Sequence, residues 1–413
     1  MKKVLSILLA LTMILAVLAG CSQNKTPAAS NDAPASNDAQ TPADTKTEEP
    51  AQEEAAQDPI TFAVACPVTG DSAEYGVHFT VGAQMAVDEI NANGGINGRQ
   101  VQLKIFDSKN DAKEATEVAR LICEDSSILA TIGDFSSTCC MATAPIYQEA
   151  GLIQISPSAG LIDFPQYGSY NFSTTGLQSD DGVFLANRVL YEVMGVKSYA
   201  VVYTNNDYGV NFTTYMNEEA ASHDITLTDS EAITSGEKDF TAVVSKMRQT
   251  NPEAVVIVGG YTEAANCIKQ IRQAGWDVPI AISGAAITQQ LADLLGDDIN
   301  GIYSNYSFLP AGENDSEEYK NFTEEFTKRA NLPPSFHSVN TYDTTMLVCQ
   351  AARDCEGELT RESLCKSLAA IKGFSGLMGD VEMNEDGTSH RGYRVTVYEN
   401  GVLTGVTPYM LAR

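Results

Sequence analysis

The sequence predicts an α/β fold made of two doubly wound, parallel-sheet lobes, and three observations predict it. Short apolar runs without polar alternation recur along the chain, as expected of strands covered on both faces. Stretches with helical spacing separate them, so that strand and helix alternate. The alternation breaks off and restarts near Ser198, which suggests two similar halves facing one another; a single large sheet is the alternative.

In the first half, Ile60 to Cys66 is an unbroken apolar run and reads as a strand. Gly76 to Asn93 has helical spacing through Phe79, Ala83, Ala86, Val87 and Ile90. Gly94-Gly95-Ile96-Asn97-Gly98 stops that helix and turns the chain. Strand Val101–Phe106, a helix from Asp111 to Cys123, strand Ile128–Ile132, helix Ser137–Ala150 and strand Leu152–Ser156 follow. The second half repeats the pattern: strand Tyr199–Tyr203, helix Tyr208–Ala221, strand Ile225–Ile233. Asp239 is placed to cap a helix running to Thr250, and Pro252 ends the connection before the apolar strand Ala254–Val258. Helix Glu263–Ala274 and strand Ile280–Ser283 close the series.

Composition bounds the function. The 413 residues carry 26 Lys+Arg against 54 Asp+Glu, a formal net charge of −28. A surface this acidic repels phosphate, so nucleic acid is not an expected partner, and adhesion to anionic lipid by charge is disfavoured. The first sixty or so residues belong to another class. Lys2 and Lys3 precede an apolar run from Val4 to Ala19, shorter than the ~20 residues of a spanning helix, so residues 1–20 read as a signal peptide. Leu18-Ala19-Gly20-Cys21 is similar to a bacterial lipobox, which implies lipid on Cys21 and cleavage before it. An ordinary signal peptide with a chance cysteine is the plainer alternative. From Ser22 to Pro59 there is no Val, Ile, Leu, Met, Phe, Trp or Tyr, and eight acids face only Lys25 and Lys46. Such a segment cannot offset its ordering entropy, so residues 21–59 are expected to be a disordered tether reaching about 35 Å. These features place the folded body outside the cytoplasmic membrane, anchored to it by lipid.

Chemistry-bearing motifs are missing. There is no GxGxxG opening a helix after a strand, no GxxxxGK[ST], no GxSxG and no HExxH. Neither a cofactor nor a metal is expected: no CxxC occurs, and His78, His223, His337 and His390 are scattered. Beyond Cys21, the eight cysteines match no staple pattern; Cys355 and Cys365 are near enough in sequence to meet, while Cys139 and Cys140 read as reduced helix residues. The body reads as a binding protein rather than an enzyme.

Several stretches, in order and spacing, carry a family resemblance. They are Ala73-Glu74-Tyr75-Gly76, Asp88 to Gly98, Ile132 to Tyr147, Thr174 to Gly182, Gly236 to Phe240 and Gly259-Gly260-Tyr261. With these the chain, from Ile60 to Arg413, resembles the solute-binding proteins of the branched-chain amino acid transport family, which serve ATP-driven importers. The resemblance implies a type I periplasmic binding fold, with lobes joined by three strands and closing over a ligand. It divides the chain into an N-lobe (60–178 and 306–381) and a C-lobe (179–305 and 382–413). It also implies partners: a small amino acid or related carboxylate, and the permease and ATPase subunits of an ABC importer.

Carried over by position, the resemblance implies that Tyr75 walls the pocket from the N-lobe and that Ser136 and Ser137 hold the ligand carboxylate. The physics agrees, because the first amides of a helix lack partners and favour an anion; a plain N-cap is the alternative reading of Ser137. Ser158, Ala159 and Gly160 follow the next strand, where the family uses backbone groups and usually a threonine hydroxyl. Here that threonine position is Gly160, so only the amide remains unless Ser158 compensates. Tyr208 and Tyr261 match the aromatic walls of the C-lobe, ordinary packing being the alternative for each tyrosine.

A second departure concerns the ligand amine. Many amino-acid binders of this family place a carboxylate after the strand matching Ile280 to Ile282, where this chain has Ser283-Gly284-Ala285-Ala286. Asp180, Asp207 and Glu263 are the candidate substitutes. The expected function is therefore import of a small amino acid, branched-chain first. The alternatives are a module that presents its ligand to a sensory receptor, and a binder of a keto or aromatic acid without an amine.

Overall fold

The structure, a computed structural model, describes residues 58–309, 315–377 and 379–411. The signal peptide, Cys21 and all but the last two residues of the expected tether lie outside the described residues.

The first half is a five-stranded parallel sheet of β1 (Ile60–Cys66), β2 (Val101–Asp107), β3 (Ile128–Gly133), β4 (Ile153–Ser156) and β5 (Asn171–Ser173) in the order β2-β1-β3-β4-β5. Between the strands run α1 (Ala73–Ala92), α2 (Ala112–Glu124), α3 (Ser137–Ala150) and the short α4 (Asp163–Gln166). Burial of both sheet faces explains the uninterrupted apolar run of β1. Phe62, Val64 and Cys66 pack with Phe79 and Ala83 of α1, while Ala63 and Ala65 pack with Ala119, Ile122 and Tyr147 of α2 and α3.

The chain then crosses into a second sheet. α5 (Gln178–Phe184) runs on as a π-helical stretch, Leu185–Val193. After it come β6 (Ser198–Thr204), α6 (Asp207–Ser222), β7 (Thr226–Ile233), α7 (Thr241–Gln249) and β8 (Ala254–Val258). α8 (Tyr261–Gln273), β9 (Ile280–Ile282), α9 (Gln289–Leu295) and β10 (Ile302–Tyr306) follow. Strands β10-β9-β8-β6-β7 are mutually parallel neighbours. Val255, Ile257, Ile280 and Ile282 face α7, α8 and α9; Tyr199, Val201, Val256 and Ala281 face α6 and the π-helical stretch.

The chain next returns to the first half, where α10 (Glu317–Ala330) packs on α1, and α11 (Phe336–Arg353) and α12 (Arg361–Ala370) pack on β3. A small antiparallel sheet of β11 (Gly373–Gly376), β12 (Gly379–Met383) and β13 (Ser389–His390) follows. β14 (Gly392–Glu399) then pairs antiparallel with β10, and β15 (Val402–Gly405) and β16 (Met410–Leu411) pair with β14. Two main sheets, rather than one large one, are therefore present, and the chain passes between them three times.

Three expectations need correction. The return to the second lobe, expected at residue 382, falls inside β12. Glu382 pairs with His390, Gly387 O accepts from Ser173 N at 2.9 Å, and Gln166 donates to Asp386 at 2.9 Å. Residues 382–390 thus stay with the first sheet, and the crossing comes at Arg391. The two late cysteines do not meet: all eight described cysteines are free, and Cys365 Sγ instead contacts Ser169 O at 3.2 Å. Helix α7 is capped one residue later than expected, at Phe240, and begins at Thr241, although Asp239 still accepts from the Thr241 amide at 3.0 Å.

Candidate functional site

Parallel strands put their carboxyl ends at one edge of each sheet, and crevices there are the usual ligand sites of open α/β folds. Here both edges line one cavity of about 310 Å³ between the lobes. From the first lobe β3 delivers Phe135, Ser136 and Ser137, and β4 delivers Ser158 and Gly160. From the second, β6 delivers Tyr208, β8 leads to Gly259 and Gly260, β9 to Gly284 and Ala285, and β10 ends on Asn305 and Tyr306.

The first-lobe wall is built around the start of α3. Ser136 caps that helix, its Oγ accepting from Cys139 N at 3.3 Å. Ser137 is the first helical residue, 2% exposed, and its Oγ accepts from Gln178 Nε2 at 2.6 Å. Gly133 has φ +127°, and a Cβ there would lie 2.0 Å from Ala65 O, so only glycine allows β3 to approach β1 this closely at the cavity edge. Behind the loop Asp134 is buried, accepting from Phe135 N at 2.5 Å and Ser108 Oγ at 2.9 Å. Burial pushes its carboxyl up to about 7. Above the serines, Phe135 stacks on Tyr75 with ring centroids 4.1 Å apart, and His337 packs edge-on to Tyr75 at 5.1 Å. Burial holds the His337 imidazole down at about 3, so the ring is neutral near pH 7; its Nδ1 lies 3.4 Å from Ser158 Oγ.

The second-lobe wall is richer in acids. Asp181 and Glu263 line it, with Asp71 at the first-lobe rim. Burial drives the Asp181 carboxyl up to about 7, against the opposing pull of its hydrogen bond from Asn305 Nδ2. Glu263 Oε1 accepts from Gly236 N at 2.8 Å. Among the described residues Lys109 is the one Lys or Arg on the cavity, and it pairs with Glu114 at 3.3 Å. Burial raises the Tyr208 hydroxyl well above its ordinary range.

Hydrogen bonds span the cleft. Tyr75 donates its hydroxyl to Ala285 O at 2.8 Å. Glu74, 8% exposed, accepts from Gln289 N and Gln290 N, both at 3.0 Å, at the start of α9. Asp207 N donates to Thr138 Oγ1 at 3.3 Å. The lobes are closed on one another.

Of the sequence-predicted residues, Tyr75, Ser136, Ser137, Ser158, Gly160 and Tyr208 come together on the cavity. Ala159 and Tyr261 do not line it. Ala159 is buried against Cys140, Ala144 and Phe164, its amide bonded to Ser156 Oγ and its carbonyl to Ser173 Oγ, each at 2.8 Å. The Tyr261 ring lies in the core, its amide donating to Tyr75 Oη at 3.3 Å and its hydroxyl reaching across to Asp71 O at 2.7 Å. It bridges the lobes rather than walling the cavity. Among the acids considered for the amine, Asp180 pairs with His390 at 3.2 Å and Asp207 faces an outer groove; Glu263 alone of the three lines the cavity.

Gly160 has a steric reason. A Cβ there would lie 2.4 Å from Gly176 O and 3.2 Å from Gln178 N, so the incoming strand to α5 leaves no room for the expected threonine. Gln178 and Asp181 lie in the Thr174–Gly182 stretch, and their i,i+3 spacing signals a shared helix face. Asn305, Phe336 and His337 carry no such signal. Among the described residues, no cluster of His, Cys, Asp or Glu is arranged to hold a metal.

Comparison with known proteins agrees with the fold. Residues 59–401 match the family model described as periplasmic binding protein. A Leu/Ile/Val-binding protein homolog of Brucella melitensis is 26% identical over 345 residues, covering 83% of this chain and 91% of that protein. A leucine-, isoleucine-, valine-, threonine- and alanine-binding protein of Pseudomonas aeruginosa is 27% identical over 83% of this chain and 90% of its own length. Among solved structures, the branched-chain amino acid transporter substrate-binding protein LivJ of Streptococcus pneumoniae, in complex with isoleucine, superposes with a TM-score of 0.78 at 27% identity. The match covers 86% of this chain and 99% of LivJ.

Proposed function

The chain belongs to the periplasmic binding protein family, and from that premise we propose that it is the lipid-anchored, extracytoplasmic solute-binding protein of an ABC importer for a small amino acid, branched-chain first. One observation carries the reading: a cavity of about 310 Å³ whose walls come from both lobes, with a serine-lined helix start on one side and a tyrosine on the other. Ser137 and the first amides of α3 receive the ligand carboxylate, since unpaired amides, helix dipole and hydroxyl all favour an anion there. Phe135, Tyr75 and Tyr208 enclose the side chain. A ligand that touches both walls shifts the open–closed population towards closure, and a permease reads the closed surface. No covalent chemistry is part of this reading. The lipid on Cys21 holds the protein near its permease, and the acidic segment 21–59 is its tether.

Thermal unfolding against each of the twenty amino acids, their keto acids and small aromatic acids tests this. A ligand at a hundredfold its Kd stabilises by about 2.7 kcal/mol, enough for a clear shift of midpoint. A shift with leucine, isoleucine or valine supports the reading. No shift with any compound of the panel overturns it.

A further inference from the structure

The stretch after β9, Ser283-Gly284-Ala285-Ala286, carries no charge, yet the cavity contains a carboxylate elsewhere. Asp181 lies three residues beyond Gln178 on α5, which puts the two side chains on one helix face, about 5–6 Å apart at Cβ. Gln178 is 4% exposed and joined to Ser137 Oγ through Nε2; its Oε1 has no partner among the described residues. Asn305, wholly buried at the end of β10, donates Nδ2 to the Asp181 carboxylate. That bond fixes the amide orientation, because a carboxylate accepts the NH2 and not the oxygen. The Asn305 Oδ1 left over is buried and without a partner.

With Asp181 ionised, the unmet atoms of Gln178 and Asn305 are both acceptors, while the hydroxyls of Tyr208 and Thr204 on the same cavity also lack partners. Orphaned buried acceptors are costly, so the site as built calls for a donor-rich group from outside. The charge balance of the walls points the same way. Asp71, Asp181 and Glu263 stand on the cavity, against Lys109, which Glu114 already engages. A carboxylate ligand without an amine would add a further negative charge to an acidic wall, whereas a zwitterion brings its own cation. Glu263 is the weaker candidate for that cation. It already accepts from Gly236 N and sits in the first turn of α8, where the helix dipole offsets its charge.

The geometry points to Asp181, together with the free amide oxygen of Asn305, as the seat of a ligand ammonium whose companion carboxylate rests at Ser137. This deepens the function proposed above and rests on the cavity being the solute site. It makes the ligand a zwitterionic amino acid rather than a keto or aromatic acid. The buried, raised carboxyl of Asp181 is in keeping with a site that lacks its counter-ion until ligand arrives.

Calorimetric titration of the full protein with leucine, isoleucine and valine, and with the keto acid of each, tests it. Asp181→Asn is nearly isosteric, and far-UV circular dichroism checks its fold. Losing a charged hydrogen-bond partner should weaken amino-acid binding by about 10–100-fold, with keto-acid affinity unchanged or improved. Asn305→Ala, which removes the second acceptor, should weaken amino-acid binding selectively by about fivefold and serves if Asp181→Asn does not fold. Equal loss for both ligand classes, unchanged amino-acid affinity, or a selective loss in Glu263→Gln instead would each overturn the assignment and leave the solute-binding function standing. Wild-type protein that binds keto acids but no amino acid would likewise overturn it. Wild-type protein that binds neither class would remove the functional reading and the assignment together.

Discussion

The two walls of the cavity are built from equivalent parts, strand ends and the loops after them, but they differ in chemistry. The first-lobe wall presents a helix start, hydroxyls and a neutral imidazole packed under Tyr75 and Phe135. The second-lobe wall presents Glu263, Tyr208 and, with α5, Asp181 and Asn305. One side can neutralise an anion and the other a cation, with the cross-lobe bonds of Glu74 and Tyr75 holding them opposed. The lesson is that a missing carboxylate at one position is no guide to the charge of a wall. Charge can arrive from a helix that the sequence places elsewhere.

Titration should break the symmetry most visibly. Asp134 behind the first wall and Asp181 in the second both have carboxyls raised to about 7 by burial. The folded protein keeps these protons up to that pH, while the unfolded chain releases them near 4, so stability falls as pH rises between the two values. Three pKa units correspond to about 4 kcal/mol at most for each group. Denaturant midpoints from pH 4 to 8 should flatten in Asp134→Asn with or without amino acid. The Asp181 share should shrink when an amino acid is bound. A flat wild-type profile would contradict both.

Steric crowding at the crossing comes next. Gly160→Thr, which restores the residue the family resemblance implies, should cost about 1–3 kcal/mol in urea unfolding and weaken ligand binding, because its side chain meets Gly176 O. If it instead tightens binding, the segment to α5 is softer than its contacts imply.

Glu74→Gln removes the charge that bridges to α9 across the cleft. It should destabilise the closed state by about 1–2 kcal/mol, seen as a larger radius of gyration by X-ray scattering and weaker ligand binding. An unchanged open–closed balance would show that Tyr75 and Tyr261 suffice to hold the lobes. Ser137→Ala should weaken ligand binding by a similar or smaller amount, about 1–2 kcal/mol, since the α3 amides remain. Unchanged affinity would make Ser137 a structural residue bonded to Gln178 alone.

Much of this was legible in the chain. Unbroken apolar runs and period-3.6 patterns, being local, located β1, α3 and β8 to the residue, as well as the restart that separates the lobes. Ser136, Ser137 and Tyr208 came from the family resemblance rather than from periodicity, and the structure places all three on the cavity. The last third was not readable in that way. Helices α10 to α12 and the small sheet pack on elements far away in sequence, and β14 pairs antiparallel with β10 across almost ninety residues. That is why the boundary at 382 was misplaced.

What the sequence by itself determined is the α/β class, the two-lobed division and the serine-bearing helix start, because local periodicity and turn chemistry dictate them. Only the tertiary structure decided that Ala159 and Tyr261 turn away, that Gly160 has no room for a side chain, and that Asp181 meets Asn305 on the cavity wall. Each of these depends on which segments the three crossings bring together, and steric and electrostatic complementarity between distant segments leaves no local trace.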